Sequence, residues 1–290
     1  QFIKGLGILK NPEKNYWPKN NMTDSRPIGI FDSGVGGLTV LNQLKKQLPY
    51  EQMIYVGDTA RVPYGNKSQQ LIQQYSQEIS EFLISKNCKM IIVACNTASS
   101  LSLEYLRSKH SLPIEGVIEA GVEEAIKETT NNQIGVLGTH STIQSGAYEI
   151  KLKEYQSNIH VTNQACPLFV PLAEEGWVEG EIPENIARVY LKPLIDSKVD
   201  SVILGCTHYP ILKRTIYNVL PKDVKLVDSG EAVSQKVIQI LSEKELMAPS
   251  DAYGHLECFV TDLPSQFSKV AKRFVDFSID KVKTIELHSS

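Results

Sequence analysis

The sequence lacks a long apolar run: no stretch approaches the roughly 18–20 consecutive apolar residues that a membrane-spanning helix needs. Its N-terminal residues show neither the apolar core nor the small-residue cleavage site of a secretory signal. An excess of positive charge is also missing, because 30 Lys and Arg face 33 Asp and Glu, with a formal net charge of -3. The sequence therefore predicts a cytoplasmic protein with neither a nucleic acid nor a membrane as partner.

Cysteine is scarce and irregularly placed. The chain has five cysteines and no C-x-x-C pair, so we expect reduced thiols rather than a disulfide framework. Cys206 and His208 in the stretch CTH could supply two metal ligands, but no companion pair lies nearby in the sequence, and we expect no metal. Cys88, Cys166 and Cys258 fit the usual role of cysteine as a small buried residue.

The composition is that of a soluble globular protein. Of the 290 residues 42% are hydrophobic and 22% are charged, and the length suffices for two domains of ordinary size. Residues 1–26 are polar and irregular in pattern, and Met22 would make a natural start. We expect this N-terminal extension to lie outside the fold.

Short β-branched runs alternate with longer amphipathic segments. Seven runs predict strands, at residues 28–31, 53–57, 90–94, 134–138, 160–163, 201–205 and 224–228. Apolar residues at three- and four-residue spacing predict helices over 37–48, 68–86 and 186–197, and we expect Pro193 to kink or end the third. Strands that alternate with helices indicate an α/β fold with mainly parallel sheets.

The chain also contains an internal repeat. IGIFDSGVGG at residue 28 aligns with IGVLGTHSTI at 134, an offset of 106, and VACNT at 93 aligns with LGCTH at 204, an offset of 111. Pro63 and Pro171 match at an offset of 108. These matches predict two pseudosymmetric copies of one doubly wound unit, although any two such units share some strand-and-turn texture.

Cys95 and Cys206 occupy equivalent places in this repeat, each at the end of a predicted strand. If the copies face each other, the carboxyl ends of their strands converge on one cleft, where open parallel sheets bind ligands. Two thiols on opposite sides of a small substrate can remove a proton from one face and return one to the other. That chemistry inverts a stereocentre.

Four blocks carry a resemblance to a known family: IGIFDSGVGGLTV from residue 28, YVGDTARVPYG from 55, VACNTAS from 93 and LGCTHYP from 204. They resemble the signature blocks of the cofactor-independent glutamate racemases, within the aspartate/glutamate racemase superfamily. The resemblance extends over the chain from Pro27 to Val275. It implies an isomerase that interconverts L- and D-glutamate without a cofactor and supplies D-glutamate for peptidoglycan.

The resemblance also implies how the chain is divided. Residues 27–119 together with 229–290 would form the first α/β domain and residues 120–228 the second, with the active site in the cleft between them. The partner would be the small-molecule substrate glutamate. The sequence does not fix the oligomeric state, and a homodimer stays open.

By resemblance, Cys95 takes the proton from D-glutamate and Cys206 takes it from L-glutamate. Asp32 is implied as the auxiliary group of Cys95 and His208 as that of Cys206, with Glu174 as a further catalytic candidate. A helix N-terminus after each cysteine would favour the thiolate. Other readings are that Asp32 only forms a turn before the glycines and that His208 only caps or packs a helix.

Gly34 and Gly36 follow a predicted strand, as in a dinucleotide-binding turn, but the third glycine position holds Thr39 and the match is partial. We favour anion binding by the N–H groups of this turn, since glutamate carries two carboxylates. No lysine lies in a setting that suggests a Schiff base, so pyridoxal phosphate is not expected. Further expected substrate-binding residues are Asp32, Ser33, Tyr64, Gly65, Asn96, Thr97, Thr139, Ser141, Thr142, Thr207 and His208.

Three alternatives remain. A cysteine hydrolase could use Cys206 with His208 as nucleophile and base, but two residues so close in a turn rarely have that geometry, and Cys95 would have no role. A two-lobed amino-acid-binding protein would need no paired thiols. An aspartate racemase of the same superfamily is the nearest alternative in substrate, because one methylene contributes only about 1–3 kcal/mol of discrimination.

Overall fold

The structure is a computed structural model that describes residues 23–287 of the chain. Most of the predicted N-terminal extension, residues 1–22, lies outside the described residues. Residues 23–26 contain no helix or strand, yet they are attached to the fold. The Asp24 amide donates to the carbonyl of Met247 at 2.9 Å, and the Lys89 ammonium donates to the carbonyl of Asp24 at 2.6 Å.

Ten strands and eleven α-helices make up the described fold. The strands are β1 Ile28–Asp32, β2 Met53–Gly57, β3 Met90–Val93, β4 Ile114–Gly116, β5 Gln133–Gly138, β6 His160–Ala165, β7 Ser201–Gly205, β8 Lys225–Asp228, β9 Leu256–Val260 and β10 Val282–Thr284. The helices are α1 Leu38–Gln47, α2 Gln69–Ser85, α3 Asn96–Lys109, α4 Val117–Glu128, α5 His140–Gln144, α6 Ala147–Tyr155, α7 Phe169–Glu175, α8 Glu181–Asp196, α9 Lys213–Val219, α10 Ser229–Glu243 and α11 Pro264–Ala271.

The strands form two sheets in which every pairing is parallel. The first sheet has the order β10-β9-β2-β1-β3-β4, and the second has the order β6-β5-β7-β8. The central strands β1, β3 and β7 are buried along their whole length. Helices cover both faces of such a sheet, which explains why these strands are continuous apolar runs. The predicted α/β fold with parallel sheets is confirmed.

The internal repeat appears directly in the strand order. In the first sheet β1 lies between β2 and β3, with β4 beyond, and in the second sheet β5 lies between β6 and β7, with β8 beyond. In both sheets the order reverses beside the first strand of the copy. This switch point is where doubly wound sheets bind ligands, at the carboxyl ends of the strands. The repeat therefore provides two equivalent switch points, one in each copy.

Some elements differ from the sequence prediction. Strands β4, β9 and β10 and most of the helices were not predicted, and α8 begins five residues earlier than the predicted start at 186. Of the two expectations for Pro193, the early stop is wrong, because α8 continues to Asp196, and the kink stays a prediction. Pro193 lies in the last turn, where its missing N–H removes only one helical hydrogen bond.

Two helices lie where the chain passes between the sheets. After β4, the last strand of the first copy, α4 packs against β7 and α10, and after β8 the helix α10 packs against α1 and α4 before the chain returns to the first sheet at β9. The predicted boundary between residues 119 and 120 lies within α4, and that between 228 and 229 lies between β8 and α10. Within residues 23–287, no helix has both the length and the apolar character that crossing a membrane requires.

Candidate active site

A cleft of about 390 Å³ lies at the carboxyl ends of strands from both sheets. Residues one or two positions after the ends of β1, β3, β5 and β7 all contribute to its wall. The described residues that line it are Ser33, Gly34, Val62, Pro63, Tyr64, Gly65, Asn66, Cys95, Asn96, Thr97, Thr139, His140, Pro167, Val170, Pro171, Glu174, Cys206, Thr207 and His208. The cleft thus brings both predicted cysteines together with nearly all of the predicted binding residues.

Cys95 lies between the end of β3 and the start of α3, where it is the N-cap residue. Its Sγ accepts a hydrogen bond from the Ala98 amide at 3.5 Å and lies 3.8 Å from the Ser33 hydroxyl. Burial and, next, the charge of Asp32 raise the pKa of the Cys95 thiol to about 12, while the hydrogen bonds with the Ala98 amide and Ser33 lower it in part. Cys95 is therefore a thiol at neutral pH.

Asp32, the last residue of β1, is fully buried beside the cleft. Its carboxylate accepts from the Gly34 amide at 2.9 Å and from the Thr207 hydroxyl at 3.4 Å, so it connects the two copies. Burial raises the pKa of Asp32, while the charge of His208 and these hydrogen bonds lower it in part. A side chain at Gly37 would collide with Asp32, since a Cβ there would lie 2.4 Å from the Cβ of Asp32.

Cys206 follows β7 and has a cationic neighbour. The Nδ1 atom of His208 lies 3.8 Å from the Cys206 Sγ, and Nε2 lies 2.9 Å from Oε1 of Glu174. Burial acts to lower the pKa of His208, but the hydrogen bonds to Cys206 and Glu174 outweigh it and raise the pKa to about 10. His208 is therefore an imidazolium at neutral pH, and its Nδ1 faces the Cys206 Sγ.

The region after Cys206 differs from the prediction of a helix N-terminus. A 3-10 helix, Tyr209–Leu212, follows the cysteine, and α9 begins only at Lys213. Pro210 lies in the first turn of the 3-10 helix and has no N–H to contribute. The positive charge near Cys206 therefore comes from His208, whereas near Cys95 it comes from the N-terminus of α3.

The C-terminal segment supports the His208 side of the cleft. The Phe274 ring packs edge-on against the imidazole of His208, with the ring centroids 5.4 Å apart. The Arg273 guanidinium donates to the main-chain carbonyl of Glu174. The sequence prediction missed both residues, because no motif marks them.

Neutral hydroxyls form a cluster on the opposite wall. Thr97, at the start of α3, lies 3.1 Å from Thr139 and 3.2 Å from Thr142, and the latter two hydroxyls are 3.0 Å apart. The Ser141 hydroxyl donates to the carbonyl of Gly65 at 2.6 Å. The threonines could donate to a carboxylate, as predicted, whereas Ser141 connects the loop at Gly65 to α5.

Tyr64 is predicted to donate a hydrogen bond to the substrate, but its hydroxyl is already engaged within the protein. It donates to the buried carboxylate of Asp58, which also accepts from Arg61 at 2.7 Å and from Thr261 at 2.9 Å. The structure thus shows that Tyr64 offers its ring to the cleft. Asp58 and Arg61 fix the loop that carries it; the sequence prediction missed both, although they lie in the block YVGDTARVPYG.

The other three cysteines lie in the core, as expected. Cys88, Cys166 and Cys258 are buried, and burial raises the pKa of each thiol, to about 12 for Cys88 and Cys258. Within residues 23–287 no group of three or more His, Cys, Asp or Glu side chains is arranged to hold a metal ion.

Known proteins share both the sequence and this fold. A model of the Asp/Glu/Hydantoin racemase family matches residues 28–237. A glutamate racemase of Geobacter metallireducens is 47% identical over 264 residues, which cover 91% of this chain and 98% of that protein. The crystal structure of glutamate racemase from Francisella tularensis in complex with D-glutamate has a TM-score of 0.86 at 38% identity and covers 92% of this chain and 100% of that one.

A further solved structure, glutamate racemase from Thermus thermophilus in complex with β-chloro-D-alanine, has a TM-score of 0.82 at 39% identity. It covers 91% of this chain and 98% of that one. Family model, relatives and structures agree over nearly the whole described fold, and the family predicted from the four sequence blocks is confirmed. The chain belongs to the Asp/Glu/Hydantoin racemase family.

Proposed function

We propose that this enzyme interconverts L- and D-glutamate by two proton transfers, one on each face of the substrate. Cys206 removes the α-proton of L-glutamate while Cys95 donates to the other face, and the roles reverse for D-glutamate. The observation that carries the proposal is that both thiols line one cleft, at equivalent strand ends of two facing copies. Curated glutamate racemases at 40–49% identity support the choice of substrate.

Asp32 and His208 assist the two transfers from opposite sides. The carboxylate of Asp32 raises the proton affinity of Cys95, and the imidazolium of His208, held by Glu174, stabilises the Cys206 thiolate. Ser33, Thr97 and Thr139, which line the cleft, supply neutral donors for carboxylates, whereas the Thr207 hydroxyl donates to Asp32. Negative charge that develops at Cα thus meets prearranged donors in a partly enclosed cleft.

We also propose the requirements, the location and the biological role of the enzyme. The chain needs no cofactor or metal, acts in the cytoplasm and supplies D-glutamate for peptidoglycan and hence for cell shape. Residues 27–119 with 229–290 and residues 120–228 form its two domains. Strand membership supports this division, since β5 to β8 alone build the second sheet.

The test is to incubate L-glutamate with the protein in deuterated water that contains a chelator. Optical rotation should decay to zero, and D-glutamate should carry deuterium at Cα from its first appearance, because the donating thiol exchanges with solvent. Retention of the original proton in the product would indicate one base rather than two. Loss of activity in chelator, restored by zinc, would assign Cys206 and His208 to a metal. A parallel incubation with L-aspartate measures the preference for glutamate.

A further inference from the structure

Tyr148 is a buried tyrosine at the boundary between the two copies. It belongs to α6 in the second copy, only 2% of its surface is exposed, and its hydroxyl meets groups at the starts of α3 and α10. The Asn96 carboxamide donates to it through Nδ2 at 2.7 Å, and the Ser229 hydroxyl lies 3.3 Å away. Asn96 directly follows Cys95 and lines the cleft. Tyr148 therefore contacts a cleft residue from behind.

The hydrogen bonds at Tyr148 have only one consistent direction. Ser229 donates to the main-chain carbonyl of Leu204 at 3.4 Å, and a carbonyl can only accept. The single hydroxyl proton of Ser229 is then engaged, so its oxygen accepts from Tyr148. The Tyr148 oxygen in turn accepts from Asn96. Burial raises the pKa of Tyr148 to about 12, so the proton that this order needs is present at neutral pH.

This order fixes the orientation of the Asn96 carboxamide. Because Nδ2 is directed at Tyr148, the carbonyl oxygen Oδ1 is the end that Asn96 turns away from Tyr148. The void behind the site, which Asn96 and Ser229 border, measures about 10 Å³, no more room than one water needs. Water therefore has little space to compete for these groups. The Tyr148 ring also lies against Gly205, where an added Cβ would be 3.0 Å from it.

We propose that Tyr148 is a positioning residue that makes Asn96 present an acceptor to the cleft, and thereby selects for the α-ammonium group of the substrate. Glutamate at neutral pH carries two carboxylates, which only accept, and one ammonium, which only donates. If the Asn96 carboxamide were rotated by half a turn, its Nδ2 donor would face the cleft, where the ammonium needs an acceptor. This inference rests on the proposed racemase function and adds a residue that no sequence block contains.

The test is Tyr148→Phe, which removes only the hydroxyl. Because one oriented hydrogen bond is lost, the Kd for D-glutamate, measured by calorimetry, should rise about tenfold. The KM should rise by a similar factor, while kcat should fall less than threefold. Tyr155→Phe is the matched control, since Tyr155 is in the same helix, is exposed and bonds Glu123; it should leave Kd, KM and kcat unchanged.

A double-mutant cycle with Asn96→Ala separates positioning from a general structural effect. If Tyr148 acts through Asn96, then Tyr148→Phe should change the Kd less than twofold in the Asn96→Ala background. If Tyr148→Phe lowers the melting temperature too far for binding measurements, Ser229→Ala is the substitute. It removes the acceptor of the Tyr148 hydroxyl, one hydrogen bond further from the cleft. It should raise the Kd two- to threefold, again only when Asn96 is present.

Two outcomes would overturn the inference: a Kd for Tyr148→Phe within twofold of the wild type, or a tenfold rise that persists in the Asn96→Ala background. Calorimetric binding needs no turnover, so these outcomes are independent of the racemase proposal. If the racemase proposal fails, the wild-type protein will instead leave the optical rotation of L-glutamate unchanged.

Discussion

The two halves of the cleft are equivalent in fold and opposite in charge. Cys95 follows β3 and Cys206 follows β7, and each cysteine is 6% exposed. Beside Cys95 lies the carboxyl group of Asp32, whereas beside Cys206 lies the imidazole of His208. The two thiols therefore share their backbone setting, and the difference between them comes from their neighbours.

The internal repeat shows where the copies have diverged. At the offset of 106, Asp32 of the first copy corresponds to Gly138 of the second, and at the offset of 111, His208 of the second corresponds to Thr97 of the first. Each copy thus carries one charged residue that the other lacks. We infer that symmetry of the fold places the thiols, and that these two differences give them neighbours of opposite charge.

The difference sets the resting state of the proposed reaction. The pKa of Cys95 is raised to about 12, so it is a thiol, ready to donate, while Cys206 lies beside the imidazolium of His208. Under the proposed assignment this form accepts L-glutamate. The form that accepts D-glutamate needs the proton on Cys206 instead, and the two forms interconvert with each turnover.

The largest expected effect is from replacement of either thiol. Cys95→Ser and Cys206→Ser should each lower racemisation at least about 10³-fold, because a serine hydroxyl is a far weaker acid and cannot complete its half of the transfer. Polarimetry with L- and D-glutamate measures this loss. Cys88→Ala, which removes a core thiol away from the cleft, should retain racemisation. Substantial activity in either serine variant would show that the reaction does not need both faces.

Asp32→Asn should have the next largest effect. It preserves shape but removes the negative charge beside Cys95, and turnover should fall about 10²-fold, as for a group that acts on proton transfer. The KM should change less than threefold. Asp276→Asn, which removes an exposed carboxylate that pairs with Lys46, is the control. Unchanged turnover in Asp32→Asn would leave Asp32 as a turn-forming residue only.

Alkylation rates should reveal the charge difference directly. Because both cysteines are equally exposed, their rates with iodoacetamide report the amount of thiolate. At pH 8 in the absence of substrate, Cys206 should react at least about tenfold faster than Cys95. Mass spectrometry of the two peptides measures the ratio. Faster modification of Cys95 would contradict the resting state described above.

The smallest effect concerns stability. The folded pKa of His208, about 10, lies above the ordinary value of 6.5 for histidine, so the folded state binds more protons between those values. Stability from this group is complete below pH 6.5 and is lost as the pH rises through 10. The slope cannot exceed about 1.4 kcal/mol per pH unit. Denaturant midpoints of wild type should therefore fall more than those of His208→Asn over this range; parallel curves would argue against a protonated His208.

The sequence predicted the parts of the fold that have a local signal. The central strands were predictable because burial on both faces makes them continuous apolar runs. Strands β4 and β10 have three residues each, and charged residues interrupt both of them as well as β9. Such strands depend on their neighbours for pairing. A helix was expected after each cysteine, and α3 does begin directly after Cys95, whereas a 3-10 helix precedes α9 after Cys206.

The same distinction applies to the candidate site. Asp32, Asn96, Thr207 and His208 adjoin the strand ends or cysteines in sequence, so motif and position together indicated them. Tyr148 could not be predicted, because α6 carries no motif and only the packing of the two copies brings its hydroxyl to Asn96. Phe274 and Arg273 likewise reach the cleft only through the return of the chain to the first sheet.

The most direct test of two opposed bases uses a substrate that needs only one of them. Glutamate with chlorine on its β-carbon can lose the α-proton to a thiolate and expel chloride, giving an enamine that tautomerises and hydrolyses to 2-oxoglutarate and ammonia. Each enantiomer at Cα is given separately to Cys95→Ser and Cys206→Ser, and the 2-oxoglutarate is measured. The thiol that remains in each variant can remove the α-proton only from the substrate face that it contacts.

Under the proposed assignment, Cys206→Ser eliminates chloride from the D-isomer and Cys95→Ser eliminates it from the L-isomer, each with at least a tenfold preference over the other enantiomer. Equal rates for both isomers in both variants, or equal loss of both, would contradict the account, because the two thiols would then not lie on opposite faces of one substrate.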